Sequence, residues 1–148
     1  MSLKERLQED WKQALKSKDK FKASTISMAR AAVLLVEKTD GKQLDDEQII
    51  GILAKEVKQR REAVLEFKKG NRQDLIDNAE NEIKILLSYL PQQLNEEEIS
   101  EIVHQAVNEV GANSIKDMKK VMALVMPKTK SRADGKLVSQ IVKQYLNK

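Results

Sequence analysis

The stretch ISMARAAVLLV, residues 26–36, is apolar on most sides when it is drawn as a helix, with Ser27 and Arg30 as the exceptions. A helix that is apolar nearly all round normally lies at the centre of a bundle. Asp19 precedes this helix as a capping residue, and the sequence Thr-Asp-Gly at 39–41 ends it. The stretch therefore predicts a helical bundle with this segment as its central helix.

Helical spacing continues on both sides of the central helix. One helix begins before it at Ser2, where Ser2 and Glu5 form a capping-box pattern. Two more follow it, from Asp45 or Asp46 to Lys69 and from Asn71 to Pro91. One face of the first helix carries Leu3, Leu7, Trp11, Ala14 and Leu15. Four long helices joined by short loops predict an antiparallel four-helix bundle over residues 1–91.

Three shorter helices follow the sequence Pro-Gln-Gln-Leu at 91–94, which we interpret as a linker. Asn95 caps the first and Gly111 stops it, Ser114 caps the second and Pro127 comes just after it, and the third opens around residues 131–134. They predict a C-terminal three-helix subdomain over residues 92–148. The predicted fold class is all-α, with two helical subdomains that together form one unit of 148 residues.

The composition limits the class of protein. Apolar residues make up 41% and aromatic residues 3%, so the core must be aliphatic. The absence of cysteine excludes disulfides and thiol catalysis. The N-terminus lacks the long apolar stretch of a signal peptide, and no segment is long and apolar enough to span a membrane. These features predict a cytoplasmic protein without a membrane partner.

Charge is distributed unevenly along the C-terminal half. Residues 96–110 carry five acidic residues and no Lys or Arg, whereas residues 116–148 carry nine Lys or Arg against two Asp. Within the basic part, one predicted helix–loop–helix holds the residues that we select as a candidate nucleic-acid site: Lys119, Lys120, Lys128, Lys130, Arg132, Gly135 and Lys136. The helix beginning at Asp134 would add backbone amides that favour an anion, unless the Asp134 carboxylate caps them. The alternative is a solvated basic face.

Two further arginines interrupt the apolar stripe of the third helix. Arg60 and Arg61 lie between Val57 and Val64, which are seven residues apart and share a face. An arginine there must bind a carboxylate or a carbonyl, or extend to water. An ion pair with Glu80 or Glu82 of the fourth helix is the structural interpretation, and a phosphate contact is the functional one.

No catalytic, metal or cofactor site is predicted. His104 is the single histidine, and without cysteine or clustered acidic partners it makes poor evidence for a metal ligand set. The sequence lacks GxGxxG and GxxxxGK[ST], the glycine-rich loops that bind phosphates.

Several segments together carry a resemblance to a known family. The stretch MPKTKSRADGKLVSQIV resembles the signature of the YqeY family, and SLKERLQEDWKQALKSKDK, LAKEVKQRREAVLEF and YLPQQLNEEEI extend the likeness along nearly the whole chain. That family is similar to the C-terminal tail of GatB, the B subunit of the glutamine-dependent aminoacyl-tRNA amidotransferase. Ser131 and Ala123 stand where relatives usually have glycine.

The resemblance implies an all-helical protein that binds tRNA and is linked to tRNA-dependent amidation, since the related tail contacts tRNA while catalysis is done elsewhere. Members of the family carry the label of a carbon–nitrogen ligase with glutamine as amido-N-donor. The chain offers no amidase Ser-Ser-Lys set and no ATP site that would support an autonomous enzyme. Two alternatives stay open: an accessory subunit partnered by amidotransferase or aminoacyl-tRNA synthetase components, and a protein-interaction bundle that does not bind RNA.

Overall fold

The computed structural model describes residues 1–147, and α-helices dominate them. The helices are α1 (Leu3–Lys16), α2 (Lys20–Asp40), α3 (Asp46–Lys69), α4 (Gln73–Leu87), α5 (Glu96–Val110), α6 (Met118–Thr129) and α7 (Gly135–Leu146), with a 3₁₀ turn at Ile115–Asp117 before α6. No β-strand occurs in this part of the chain. The predicted all-α class is confirmed.

Side-chain caps explain why several helices begin where they do. The side chains of Ser2, Asp19, Asp45 and Asn95 accept hydrogen bonds from first-turn amides of α1, α2, α3 and α5. In α3 and α5 the capping is reciprocal, since the side chains of Gln48 and Glu98 each accept a hydrogen bond from the cap backbone N–H. Gly41 ends α2 and Gly111 ends α5, both in the left-handed conformation that glycine adopts without a steric penalty.

The chain divides into two compact units, Met1–Leu90 and the residues from Pro91 onward. In the first unit α1 packs on α2, α3 packs on α4, and α2 also contacts α3 and α4. The side chains at the centre of its core are Leu7, Ile26, Ile49, Leu53, Val57 and Leu86. A smaller apolar cluster of Val64, Ile76 and Ala79 joins α3 to α4 further along.

The second unit packs α5, α6 and α7 against one another. Its core is aliphatic, as the low aromatic content predicts, and its fully buried side chains are Ile99, Val103, Val121, Val125, Val138 and Val142. Each of the three helices contributes buried residues at helical spacing. The α6–α7 connection, which carries the predicted basic site, is therefore mounted on two packed helices.

The start and end of the sixth helix differ from the prediction. Ser114 caps a 3₁₀ turn, and α6 begins after it, at Met118. The helix also passes through Pro127 to Thr129. Near the C-terminal end the missing proline N–H removes a single helical hydrogen bond, and the last turn is held by Lys130 N donating to Met126 O at 2.9 Å and Thr129 Oγ1 donating to Val125 O at 3.1 Å.

Two expectations about apolar faces also need correction. Leu15 does not share the buried face of Leu7, since half of its surface is exposed. The central helix α2 is not buried all round, because Met28, Leu34 and Leu35 face solvent. A bundle of four helices can cover only part of a central helix, and here α3 and α4 pack chiefly on each other.

Candidate nucleic-acid interface

The seven residues of the predicted site lie on α6, on α7 and on the loop between them. Lys119 and Lys120 lie in the first turn of α6, Lys128 in its last turn, and Lys130 is its C-terminal cap. The remaining three are Arg132 in the loop and Gly135 and Lys136 in the first turn of α7. With a rise of about 1.5 Å per residue, Lys119 and Lys128 are about 14 Å apart along the axis. The structure thus brings four cations to the loop and leaves two at the far end of α6.

The loop is held in place by the segment that precedes α5. Leu94 N donates to Arg132 O at 2.8 Å, and the Gln93 Nε2 amide donates to Ser131 O at 3.0 Å. Arg132 Nε in turn donates to Gln92 O at 3.3 Å. Gln92, Gln93 and Leu94 of the predicted linker are therefore hydrogen-bonded to the α6–α7 loop of the same unit. Nothing in the sequence pattern pointed to Gln93 as part of this site.

The lysines of the site are exposed and have no acidic partner among the residues that the structure describes. They are Lys119, Lys120, Lys128, Lys130 and Lys136. All the salt bridges found within residues 1–147 involve residues of the first unit. Arg132 differs from the lysines, because it is half-buried and one guanidinium nitrogen is already bound to the backbone. The five ammonium groups are thus available to an anion.

The N-terminus of α7 is occupied by the chain itself. Asp134 is the N-cap, and its Oδ1 accepts a hydrogen bond from Lys136 N at 3.1 Å. A carboxylate at this position competes with any external anion for the same amides and for the helix dipole. Gly135 does not have a positive φ, and a Cβ built on it would meet no atom within 4 Å. The space in front of Gly135 is open to a partner, but the amide site beside it is used internally.

Arg60 takes the structural role in the first unit. Its Nε lies 2.6 Å from Glu82 Oε2, and its Nη1 lies 3.1 Å from Glu56 Oε1 and from the Glu56 backbone oxygen. The guanidinium is mostly buried, and its ion pair with Glu82 links α3 to α4. Arg61 is half-buried on the same helix. The contacts of Arg60 leave little of its guanidinium for a phosphate.

The acidic residues of α5 and His104 lie on the surface of the second unit. Glu96, Glu97 and Glu98 lie in the first turn of α5, where negative charge is favourable to the helix dipole. His104 is exposed, with Nε2 3.3 Å from the Asn108 amide and its ring 6.0 Å from that of Tyr145. No group of three or more His, Asp or Glu side chains suited to a metal ion occurs within residues 1–147.

Arg30 and Trp11 form a contact within the bundle. The Arg30 guanidinium carbon lies 4.9 Å from the centre of the Trp11 ring, which packs at the edge of the first core. A cation over an indole face is attracted by the ring quadrupole. Trp11 is therefore a packing residue with a cationic neighbour.

Comparison with known proteins places the chain in a family. A family model described as Yqey-like protein matches residues 4–146. The chain is similar to "Altered inheritance of mitochondria protein 41, mitochondrial" of Pyrenophora tritici-repentis, with 30% identity over 95% of this chain and 79% of the relative. The protein of the same description from Lachancea thermotolerans is 30% identical over 96% and 80%, and that from Vanderwaltozyma polyspora is 28% identical over 95% and 80%.

These descriptions contradict one expectation from the sequence. The relatives are described as mitochondrial, so the predicted cytoplasmic location is wrong. Composition could not have revealed this, since location depends on targeting segments that folded-domain chemistry does not encode. Within the described part of the chain, none of the helices has the length and apolar character needed to cross a membrane. From the match over nearly its whole length, the chain belongs to the YqeY-like protein family.

Proposed function

We propose that the protein is a tRNA-binding module whose second unit binds the phosphate backbone through the α6–α7 region. The single observation that carries the proposal is the set of five exposed lysines on α6, its cap and α7 that have no acidic partner within residues 1–147. Phosphate contacts of this kind supply affinity and a strong salt dependence, with little reading of sequence. Selectivity would then come from the shape of the RNA.

The fixed loop supports this assignment. Lys130 and Arg132 flank Ser131, whose carbonyl oxygen accepts from Gln93, and Arg132 O accepts from Leu94 N. Because this short segment is bonded at two successive carbonyls, little backbone freedom remains to be lost when an anion binds. The cationic side chains of the loop therefore project from a backbone that is fixed by hydrogen bonds. We assign the main contacts to the lysines nearest the loop, with the two at the start of α6 reaching a neighbouring stretch of backbone.

The family supports tRNA as the nucleic acid. The resemblance to the tail of the amidotransferase B subunit implies a contact with tRNA, and the link to amidation follows from the same resemblance. A role as an autonomous ligase has no support from the residues present. Since the relatives are described as mitochondrial proteins, mitochondrial tRNA belongs among the RNAs tested.

Fluorescence anisotropy with labelled tRNA over a range of salt concentrations tests the proposal. We expect Lys128→Ala with Lys130→Ala to weaken binding and to lower the slope of log K against log salt by about 2, roughly one for each lost phosphate contact. The matched control is Lys58→Ala with Lys68→Ala, which removes the same charge from exposed positions of α3. If both double variants lost the same tRNA affinity, the effect would be one of net charge alone, and the α6–α7 region would be rejected as the site.

A second candidate function rests on two exposed apolar side chains of the second unit. Ile115 and Met126 each leave more than two-fifths of their surface in solvent. Apolar side chains left in solvent can form the centre of a protein contact when a polar rim surrounds them. We propose an amidotransferase or aminoacyl-tRNA synthetase component as the partner in that case. Co-purification of such a component with the wild type, and its loss in Met126→Lys, would favour this candidate.

A further inference from the structure

The outer face of α2 is uncharged over four turns in a protein whose residues are 34% charged. Between Lys22 and Glu37, Arg30 is the single charged residue, and its guanidinium lies over Trp11 of α1. Four large apolar side chains of this helix are exposed: Phe21 by 39%, Met28 by 42%, Leu34 by 46% and Leu35 by 66%. These are four of the nine exposed large apolar residues in the described chain, concentrated on one helix.

The inner face of the same helix already provides its share of the core. Ile26, Ala29 and Val33 are buried against the other helices of the bundle. Positions seven residues apart share a helix face, so Phe21, Met28 and Leu35 form a second, exposed stripe away from the first, and Leu34 lies off this stripe. An amphipathic surface helix requires one apolar stripe, and α2 has two. The outer stripe is therefore not explained by folding of the first unit.

The order of residues along the outer stripe is symmetric about Met28. Bulky and small residues alternate as Phe21, Ser24, Met28, Ala32 and Leu35, with spacings of three, four, four and three. A helix with such a stripe complements a second copy of itself that runs in the opposite direction. Met28 then meets Met28 of the second copy on a two-fold axis, Phe21 meets Leu35, and Ser24 meets Ala32. Because the last two side chains are small, the helices can approach closely, and such self-complementarity is the property of an isologous interface.

Charge favours the antiparallel direction. Lys16, Lys18, Lys20 and Lys22 surround the start of α2 with Asp19 as the one acidic residue, whereas its end carries two acidic and two basic residues at 37–42. A parallel pair would place the two lysine-rich ends together, and like charges side by side oppose association. The antiparallel pair places each lysine-rich end beside a neutral one, where the helix C-terminus also favours cations.

The available area fits a modest interface. A side chain of this size exposes roughly 200 Å² when free, so the three large residues of the stripe, Phe21, Met28 and Leu35, present roughly 300 Å² at their observed exposures. A stable interface buries roughly 800 Å² on each partner. Ser24 and Ala31 are exposed beside these residues and add to the area together with the aliphatic stems of the flanking lysines, so the stripe fits a weak dimer that depends on concentration.

We infer that the protein forms a symmetric homodimer in which the outer face of α2 packs antiparallel against α2 of a second copy. The interface runs from Phe21 to Leu35 with its two-fold axis at Met28. This inference concerns the first unit and is independent of tRNA binding by the second.

Sedimentation equilibrium of the full chain provides the first test. We expect a concentration-dependent dimer, and Met28→Lys, which would place two ammonium groups on the axis, should raise the dimer dissociation constant by about 100-fold. The matched control is Leu65→Lys, which changes a similarly exposed apolar residue on α3 and should leave the dissociation constant unchanged. A wild-type protein that stays monomeric at high concentration would assign the stripe to a different protein or to a lipid surface and overturn the inference.

Cysteine cross-linking tests whether the two α2 helices run antiparallel. The chain has no cysteine of its own, so each introduced cysteine can react only with its counterpart in the second copy. A disulfide requires Cα atoms within about 7 Å, so Met28→Cys should form a covalent dimer on mild oxidation. Phe21→Cys and Leu35→Cys should each form no covalent dimer alone and should cross-link to each other when mixed. Self-cross-linking of Phe21→Cys would indicate a parallel pair, and failure of Met28→Cys to cross-link would reject the axis even if Met28→Lys did not fold.

Discussion

Ser131 adopts a backbone conformation that side chains disfavour. Its φ is +62°, in the left-handed region, which costs a residue with a Cβ about 1–2 kcal/mol relative to the right-handed conformation. The resemblance to the family marks this position as one where relatives usually carry glycine, and the positive φ supplies the physical reason. The strain lies at the centre of the candidate site, between Lys130 and Arg132.

We expect Ser131→Gly to stabilise the second unit by about 0.5–1 kcal/mol, since glycine removes the steric cost but adds freedom to the unfolded chain. Native-state hydrogen exchange of the buried α7 amides measures the change. The control is Ser139→Gly within α7, which should destabilise the helix by a similar amount. Slower exchange in both variants, or in neither, would contradict a backbone origin.

The left-handed conformation of Lys18 has no signal in the sequence. This residue also has a positive φ, of 61°, and follows α1 in a turn where Asp19 N donates to Ala14 O at 2.9 Å. Such a turn ends a helix whatever residue occupies it, and lysine lacks the turn preference that makes glycine or asparagine a visible signal. The end of α3 differs, because Gly70, the predicted stop, is its C-terminal cap with a φ of −92°, and the left-handed conformation falls on Asn71 beside it.

At the scale of the elements, Arg60 links α3 to α4. Its guanidinium bridges Glu56 and Glu82, and the three side chains are between 14% and 21% exposed. We expect Arg60→Ala to cost about 1–3 kcal/mol, because it leaves two carboxylates half-desolvated without their cation. Urea unfolding followed by the fluorescence of Trp11, the single tryptophan of the chain and a residue of the first unit, measures the change.

The control for this variant is Arg72→Ala. The Arg72–Asp74 pair has a distance of 3.0 Å, but both side chains are more than half exposed. Exposed pairs are screened by solvent and contribute little. We therefore expect the unfolding midpoint of Arg72→Ala to stay close to that of the wild type. If Arg60→Ala and Arg72→Ala lost the same stability, the burial of the Arg60 ion pairs would not explain their contribution.

Glu37 joins α2 to α1 and to the loop before α3, and it should make the free energy of unfolding depend on pH. Its carboxylate accepts hydrogen bonds from Lys4 Nζ at 2.8 and 2.9 Å and from Leu44 N at 3.0 Å. The Lys4 hydrogen bond, followed by that of Leu44 N, lowers the pKa of Glu37. Because the folded pKa lies below the unfolded one, this stabilisation is complete above the ordinary glutamate pKa of about 4.3 and is lost as the pH falls through the folded value.

We therefore expect Glu37→Gln to be less stable than the wild type at pH 7, with the difference shrinking as the pH falls below about 4. Glutamine keeps an oxygen that can accept from Leu44 N, so the difference isolates the charge. Urea unfolding by Trp11 fluorescence between about pH 7 and pH 3 provides the measurement. Glu62→Gln, at an exposed position of α3, is the control. If the difference in the free energy of unfolding between the wild type and Glu37→Gln stayed constant over this pH range, the ion pair with Lys4 would not be its cause.

Helix starts were well predicted because caps are local. Asp19, Asp45 and Asn95 each accept a hydrogen bond from the amide three residues away, so a short sequence window contains the whole interaction. The failures depended on distant contacts. Whether Pro127 ends α6 depends on the packing of Val125 and Thr129, both of which are buried. Which side of α2 is covered depends on where α3 and α4 lie, and helical periodicity contains no such information.

At the scale of the whole molecule, the sequence predicted the basic side chains of the candidate site but not the hydrogen bonds that hold the α6–α7 loop in place. Lysines on α6 and α7 can be selected from charge and helical spacing alone. The bonds from Leu94 and Gln93 to the loop connect residues 38 positions apart, so no local pattern reports them. The cap formed by Asp134 was foreseen as an alternative, and the structure selects it.

Each unit has its own hydrophobic core. The main cluster of the first unit includes Leu53, and the cluster of the second includes Ile99, both of them fully buried. Since cooperative unfolding follows shared packing, two separate cores favour two separate unfolding transitions.

We therefore expect Ile99→Ala to destabilise the second unit by about 2–5 kcal/mol and to leave the Trp11 fluorescence transition unchanged. Leu53→Ala should lower that transition by a similar amount, because Trp11 packs on the same cluster as Leu53. Far-UV circular dichroism reports helix loss in both units, so it should show two steps in Ile99→Ala, with the earlier one absent from the fluorescence. If Ile99→Ala shifted the Trp11 transition as far as Leu53→Ala does, the two cores would unfold as one cooperative body, and the chain would have to be treated as a single domain.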